Sequence, residues 1–135
     1  MEQLIDLTEE QSEDIEARLE ENDRKYITFK LDGSIRIGIE KDGHLVAGLD
    51  ACMTAFKILY VSTVFVEENC RRMGYGRQLM EEMEKRAKQL GANTIRLDTF
   101  SWQGKDFYQA LGYTQVGFYR NEEDDYEEYF FLKRI

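Results

Sequence analysis

"VEENCRRMGYGRQLMEEMEKRAKQLG", residues Val66–Gly91, decides the fold. It joins an apolar run to a helix through a turn that holds Arg71, Arg72, Gly74 and Gly76. Beyond the turn, Leu79, Met83, Ala87 and Leu90 recur on one helical face, and Gly91 supplies a stop. The run before it, "KILYVSTVFV", is β-branched and aromatic and predicts a buried strand ending at Val66. A strand, a glycine turn and a helix in that order make a ready anion site. The first N–H groups of the helix lack internal partners and point at whatever binds there. The helix dipole adds about half a positive charge. A glycine lets a phosphate oxygen approach the backbone closely, and arginine can grip phosphate with two parallel hydrogen bonds. The turn is no GxxxxGK[ST] loop, and it lacks the third glycine of GxGxxG. Two readings of it stand at this point: a cradle for a phosphate or pyrophosphate, and a structural turn with solvated arginines.

Working outward, "LTEEQSEDIEARLEEND" opens with Thr8 and has Gln11 three residues on, a capping box, with Ile15 and Leu19 at helical spacing. "SIRIGIEKDGHLVAGLDA" alternates at Ile35, Ile37 and Ile39, turns at Asp42–Gly43 with His44 beside the turn, and alternates again at Leu45, Ala47 and Leu49. That is a β-hairpin. "TIRLDTF" predicts a further strand and "GKDFYQALG" a short helix ended by Gly112. "YTQVGFYR" and "YEEYFFLKRI" flank the acidic "NEEDD" and predict a final antiparallel pair. The order is helix, three strands, helix, strand, short helix, two strands: an α/β (mixed α+β) chain with one mixed sheet covered by helices.

The 135 residues suit one domain, 1–135, with a single core. The 8 Phe, 8 Tyr and 1 Trp argue against disorder. A formal charge of −9 disfavours nucleic acid as partner and is compatible with a cationic substrate. Cys52 and Cys70 form no metal-ligand pattern, and His44 is the only histidine, so no metal site is expected. The acids of "MEQLIDLTEEQ" stand where a secretory leader carries bases, and no apolar run nears the ~20 residues that span a bilayer. A reduced, cytoplasmic protein without a membrane partner is the expectation.

The quoted stretch is similar to the acyl-CoA-binding signature of the GNAT superfamily of N-acetyltransferases, [Q/R]-x-x-G-x-[G/A], carried here by Arg71 to Gly76. "DFYQALGYTQVG" resembles the family's tyrosine-bearing helix and the strand after it, with Tyr108 in the tyrosine position. The likeness runs from Ser34 to the end; only "EQLIDL" could supply the family's first strand. The resemblance implies a mostly antiparallel sheet in which "KILYVSTVFV" and "TIRLDTF" are parallel and splayed. It implies acetyl-CoA as co-substrate, its pyrophosphate on Arg71, Arg72, Met73, Gly74, Tyr75 and Gly76. Its pantetheine arm would pair with Val64, Phe65 and Val66 as an added strand.

The implied reaction is direct attack of a primary amine, of a small molecule or peptide, on the thioester. A backbone N–H near Val66 would meet the oxyanion, and Tyr108 would return a proton to the thiolate. Some members carry a base glutamate where Tyr60 stands here, which leaves Asp98 on the next strand as the nearest acid, with a water chain as the other route. Ser101 stands where many members have an asparagine that contacts the cofactor arm. The acids Glu122, Glu123, Asp124, Asp125 and Glu127 either draw in a cationic acceptor or form a solvated loop. A homodimer through the C-terminal strand is implied as well. The other reading from a different class is a catalytically idle acyl-CoA-binding sensor or regulatory module.

Overall fold

The computed structural model describes residues 1–27 and 31–135. Two compact units, Met1–Lys30 and Leu31–Ile135, divide the chain. In the first unit the helix α1 (Glu9–Asp23) starts where the capping box places it. Gln11 N–H donates to Thr8 Oγ1 at 3.1 Å, and Thr8 N–H donates to Gln11 Oε1 at 3.0 Å. Ile15 and Leu19 are exposed, and no residue of α1 is buried. "EQLIDL" is not a strand: the residues before α1 carry no regular structure.

The second unit is built on a six-stranded sheet. Its strands are β1 (Ser34–Lys41), β2 (His44–Met53), β3 (Ile58–Val66), β4 (Thr94–Phe100), β5 (Thr114–Asn121) and β6 (Tyr126–Arg134). The helices are α2 (Tyr75–Leu90) and α3 (Lys105–Ala110), with a short 3₁₀ turn at Glu68–Cys70. The spatial order is β1-β2-β3-β4-β6-β5. All neighbours are antiparallel except β3 and β4, which are parallel. The mixed, mostly antiparallel sheet expected from the resemblance is what the chain forms.

One face of the sheet carries the core. Ile35, Leu49, Ala51, Leu59, Val61, Ile95, Leu97 and Phe131 point to it and meet Leu79, Met80, Met83 and Ala87 of α2. The predicted apolar face of α2 is the buried one, and Gly91 closes the helix in the left-handed region at φ +97.

The parallel pair is short. Only Ile58, Leu59 and Tyr60 pair with Thr94, Ile95 and Arg96. Just beyond, the register with β2 slips: Ala51 faces Val61 while Asp50 faces Thr63, so Ser62 is an extra residue. Such a bulge bends its strand and sharpens the twist. Ser62 Oγ donates to the carbonyl of Asp50 at 3.1 Å and fixes the bulge. β3 therefore leaves β4 at Tyr60, and its residues 61–66 have no strand on that side.

Away from this opening a polar clasp ties α2 to the C-terminal strand. Lys133 Nζ pairs with Glu84 at 2.8 Å and donates to the Leu111 carbonyl at 2.9 Å. Tyr113 Oη donates to the same Glu84 at 3.2 Å. Burial, then the Glu84 charge, pushes the Tyr113 phenol well up, so it keeps its proton and remains the donor. Replacing Lys133 with Met removes the counter-charge of the largely buried Glu84 carboxylate, which keeps only the Tyr113 bond of this clasp, and takes the donor from the Leu111 carbonyl. It should lower stability by about 1–3 kcal/mol, read as a shifted urea midpoint at unchanged slope.

Candidate active site

The gap between β3 and β4 is one end of a cleft of about 1290 Å³, lined by β3, the Arg71–Gly76 turn, the end of β4 and α3. Val64 and Val66 pack their side chains against the core, while Phe65 is half exposed. The backbone of this segment is thus held from one side and open on the other. Val66 also anchors the turn: Arg71 Nε donates to its carbonyl at 2.9 Å, and the guanidinium lies 6.0 Å from the Phe65 ring centroid.

The turn itself is bent by two left-handed residues, Arg72 at φ +64 and Gly74 at φ +84. Alternating backbone hands turn successive N–H groups inward, the arrangement that holds anions. Gly74 is the N-cap of α2 and has no side chain to occupy the freed N–H groups. A Cβ there would meet nothing within 4 Å, so the space before the helix is open. The two glycines have different reasons. A Cβ on Gly76 would lie 3.0 Å from Phe107 Cζ, so Gly76 is what lets α3 close on the start of α2. Tyr75 packs against the core at its margin. Met73 is exposed.

α3 carries Tyr108, whose ring packs on Phe107, Tyr113 and Phe131 and also lines the cleft. Burial first, and the Asp98 charge second, push its phenol up to about 12. It is therefore fully protonated at neutral pH. Asp98 lies on β4 two residues past the last pairing with β3, exposed at the mouth of the gap. Tyr60 Oη donates to Asp98 Oδ2 at 3.2 Å, and Arg96 stacks over the Tyr60 ring at 4.4 Å. Tyr60 and Asp98, read from the sequence as a missing base and a nearby acid, are one hydrogen-bonded pair.

Ser101 also lines the cleft. Its N–H donates to the Glu127 carbonyl at 2.8 Å and its Oγ accepts from Glu127 N–H at 3.3 Å, which leaves its own hydrogen free to donate. Residues missed in the sequence complete the wall. Gln103 Oε1 accepts from Phe100 N–H at 2.8 Å and holds the loop after β4. Lys105 Nζ sits 4.7 Å over the Tyr129 ring, and Tyr129 Oη donates to Glu127. That bond, with Arg120 behind it, holds the Glu127 carboxyl below its usual range. The only signal for Tyr129 was its alternation with Phe131 on β6. The cleft is lined by Arg71, Arg72, Arg77 and Lys105 against Asp98 and Asp106, a basic wall in an acidic protein.

The acidic turn is less free than its composition suggests. Arg120 binds Asp125 at 2.7 Å and Glu127 at 3.1 Å, so two of the five acids are already paired. Glu122, Glu123 and Asp124 remain exposed. Among the described residues no group of three or more His, Cys, Asp or Glu is placed to hold a metal, and no helix is long and apolar enough to cross a membrane.

The acetyltransferase (GNAT) family model matches residues 1–113. No curated protein matches the chain. Among solved structures, an acetyltransferase from Bacillus cereus is 26% identical, with a TM-score of 0.92 over 99% of this chain and 98% of that one. The ribosomal-protein-S18-alanine N-acetyltransferase from Escherichia coli is 16% identical, with a TM-score of 0.65 over 76% and 69%. An aminoglycoside 6′-N-acetyltransferase complexed with coenzyme A is 20% identical, with a TM-score of 0.65 over 75% and 72%. The last two likenesses are of fold. With more than half of its length matched, the chain belongs to the acetyltransferase (GNAT) family.

Proposed function

We propose that this protein moves the acetyl group of acetyl-CoA to a primary amine of a small molecule or peptide by direct attack. One observation carries the reading: the open edge of β3, the amide-lined turn and the Tyr108 phenol all face one cleft. The fit is to an extended anion. The turn offers helix N-terminal amides, open space at Gly74 and the side chains of Arg71 and Arg72 for a pyrophosphate. The edge that β4 leaves free offers the outward backbone groups of Val64 and Val66 to the amides of a pantetheine arm running past Phe65, whose own backbone turns to Gly48, and Ser101 offers one more. The co-substrate supplies a thioester, whose carbon accepts a nucleophile and whose sulfur leaves as a thiolate.

The residues then divide the work. A backbone N–H near Val66 meets the charge that grows on the carbonyl oxygen. The attacking nitrogen must be neutral, and an alkylammonium is near 10, so a proton has to leave it. Asp98, steadied by Tyr60, receives that proton and passes it to water at the mouth of the gap. Tyr108 holds its proton to about 12 and gives a hydrogen bond, then the proton, to the departing sulfur as the C–S bond breaks; the second proton, which the attacking nitrogen sheds as it becomes an amide, restores the phenol. The C-terminal strand β6 lies between β4 and β5 and has no free edge, so a homodimer belongs to the same proposal only through the edge strand β5, where Val116 and Phe118 are exposed.

Gly74→Val tests the cradle. A β-branched residue is strained at φ +84 and fills the open space. Coenzyme A binding by calorimetry should fall at least about tenfold while the circular dichroism spectrum holds. Unchanged affinity in the folded variant would overturn the assignment.

Tyr108→Phe tests the acid. It should lower kcat by about 10²–10⁴-fold and leave acetyl-CoA affinity within about twofold. In the wild type the phenol, raised to about 12, contributes no falling limb to kcat across the neutral and mildly alkaline range. A loss of less than about threefold assigns Tyr108 to packing.

A further inference from the structure

Asp98 and Phe100 alternate with the buried Leu97 and Thr99, so they share the sheet face opposite the core, roughly 7 Å apart along β4. On that face Trp102 lies flat against Phe100, with centroids 4.8 Å apart and planes 6° from parallel. Tyr126 meets Phe100 edge-on at 5.7 Å. The rings form a ledge held in place from one side. The other side of Trp102 is open, with 69% of the residue exposed, and it lines the same cleft as Asp98. Glu128 stands directly across from Phe100 on β6 and so shares its face of the sheet, and Tyr119 of β5 hydrogen-bonds its carboxylate there without neutralising it. The ledge therefore runs from one carboxylate, Asp98, to another, Glu128, and Glu122, Glu123 and Asp124 are exposed in the turn beyond. An aromatic face between acids favours a delocalised cation over a neutral group.

We propose that this ledge is the acceptor's tail subsite: it takes a primary amine that carries a second, planar cation, with the amine at Asp98 and the cation on Trp102 beside Glu128. The inference rests on the amine-acetylation reading and narrows its substrate to aminoalkyl guanidines and similarly built diamines. The Arg96 charge does not compete for the ledge, because it is stacked on Tyr60 at the closed end of the gap. The subsite also gives Trp102 a role that packing does not, since stacking on Phe100 uses only one of its faces.

Trp102 is the only tryptophan of the chain, so its emission reports the site directly. The probes are 4-aminobutylguanidine and n-hexylamine, which share a primary amine and differ at the tail. The guanidine should give a saturable change in emission with Kd about 5–20-fold lower than hexylamine. By calorimetry, Trp102→Leu and Glu128→Gln should each remove most of that difference while coenzyme A affinity stays within about twofold. Equal Kd for the two amines overturns the subsite, as does a Trp102→Leu variant that weakens coenzyme A and leaves the amine ratio unchanged. Thiol release from acetyl-CoA is followed in parallel. Selective binding of the guanidine without thiol release supports the subsite and counts against the acetyl-transfer reading instead.

Discussion

The bulge at Ser62 is the constraint on which the site depends. Two parallel strands with even register would pair along their whole length and leave no gap. Here one extra residue in β3, tied to the Asp50 carbonyl, bends the strand away after three paired positions. The bend costs β3 its ladder with β4 over residues 61–66, while its pairing with β2 continues. The same loss leaves an edge whose polar groups need a partner, and the loop that follows is aimed along it. Core packing of Val64 and Val66 from the α2 side keeps that edge from collapsing back.

The bulge also separates two chemistries. On the core side of the sheet lie Tyr108, the turn and the basic wall, suited to an anion. On the opposite face lie Tyr60, Asp98, Phe100 and Glu128, acidic and aromatic, suited to a cation. On the proposed reading, an amine and an acyl donor approach one carbon from two sides without their charges meeting on the way. A net charge of −9 matters less for the donor than the local cluster of Arg71, Arg72, Arg77 and Lys105, because screening confines distant charges to about 8–10 Å.

Much of this was legible in the sequence because local chemistry and fold agree. The capping box at Thr8, the Asp42–Gly43 turn and the Gly91 stop each put an element boundary where the structure has it. The bulge left a mark too: inward apolar residues fall at Leu59 and Val61, then at Val64 and Val66, a slip of one across Ser62–Thr63. The two glycines of the turn read alike in sequence yet differ in cause, since only the docked position of Phe107 reveals why Gly76 has no side chain. Lys105, Trp102 and Tyr129 carried no motif; tertiary pairing brings them to the cleft. The acidic turn misled in part, because charge counts do not show that Arg120 reaches across to Asp125 and Glu127.

On the proposed reading the cofactor arm pairs with the edge of β3 freed by the bulge. Amide hydrogen exchange with and without coenzyme A measures this residue by residue. Amides within residues 62–66 and in the turn at residues 72–76 should slow by about tenfold or more, while those of β1 and β5 stay as they were. Protection confined to the turn, with exchange at residues 62–66 unchanged, would contradict the account.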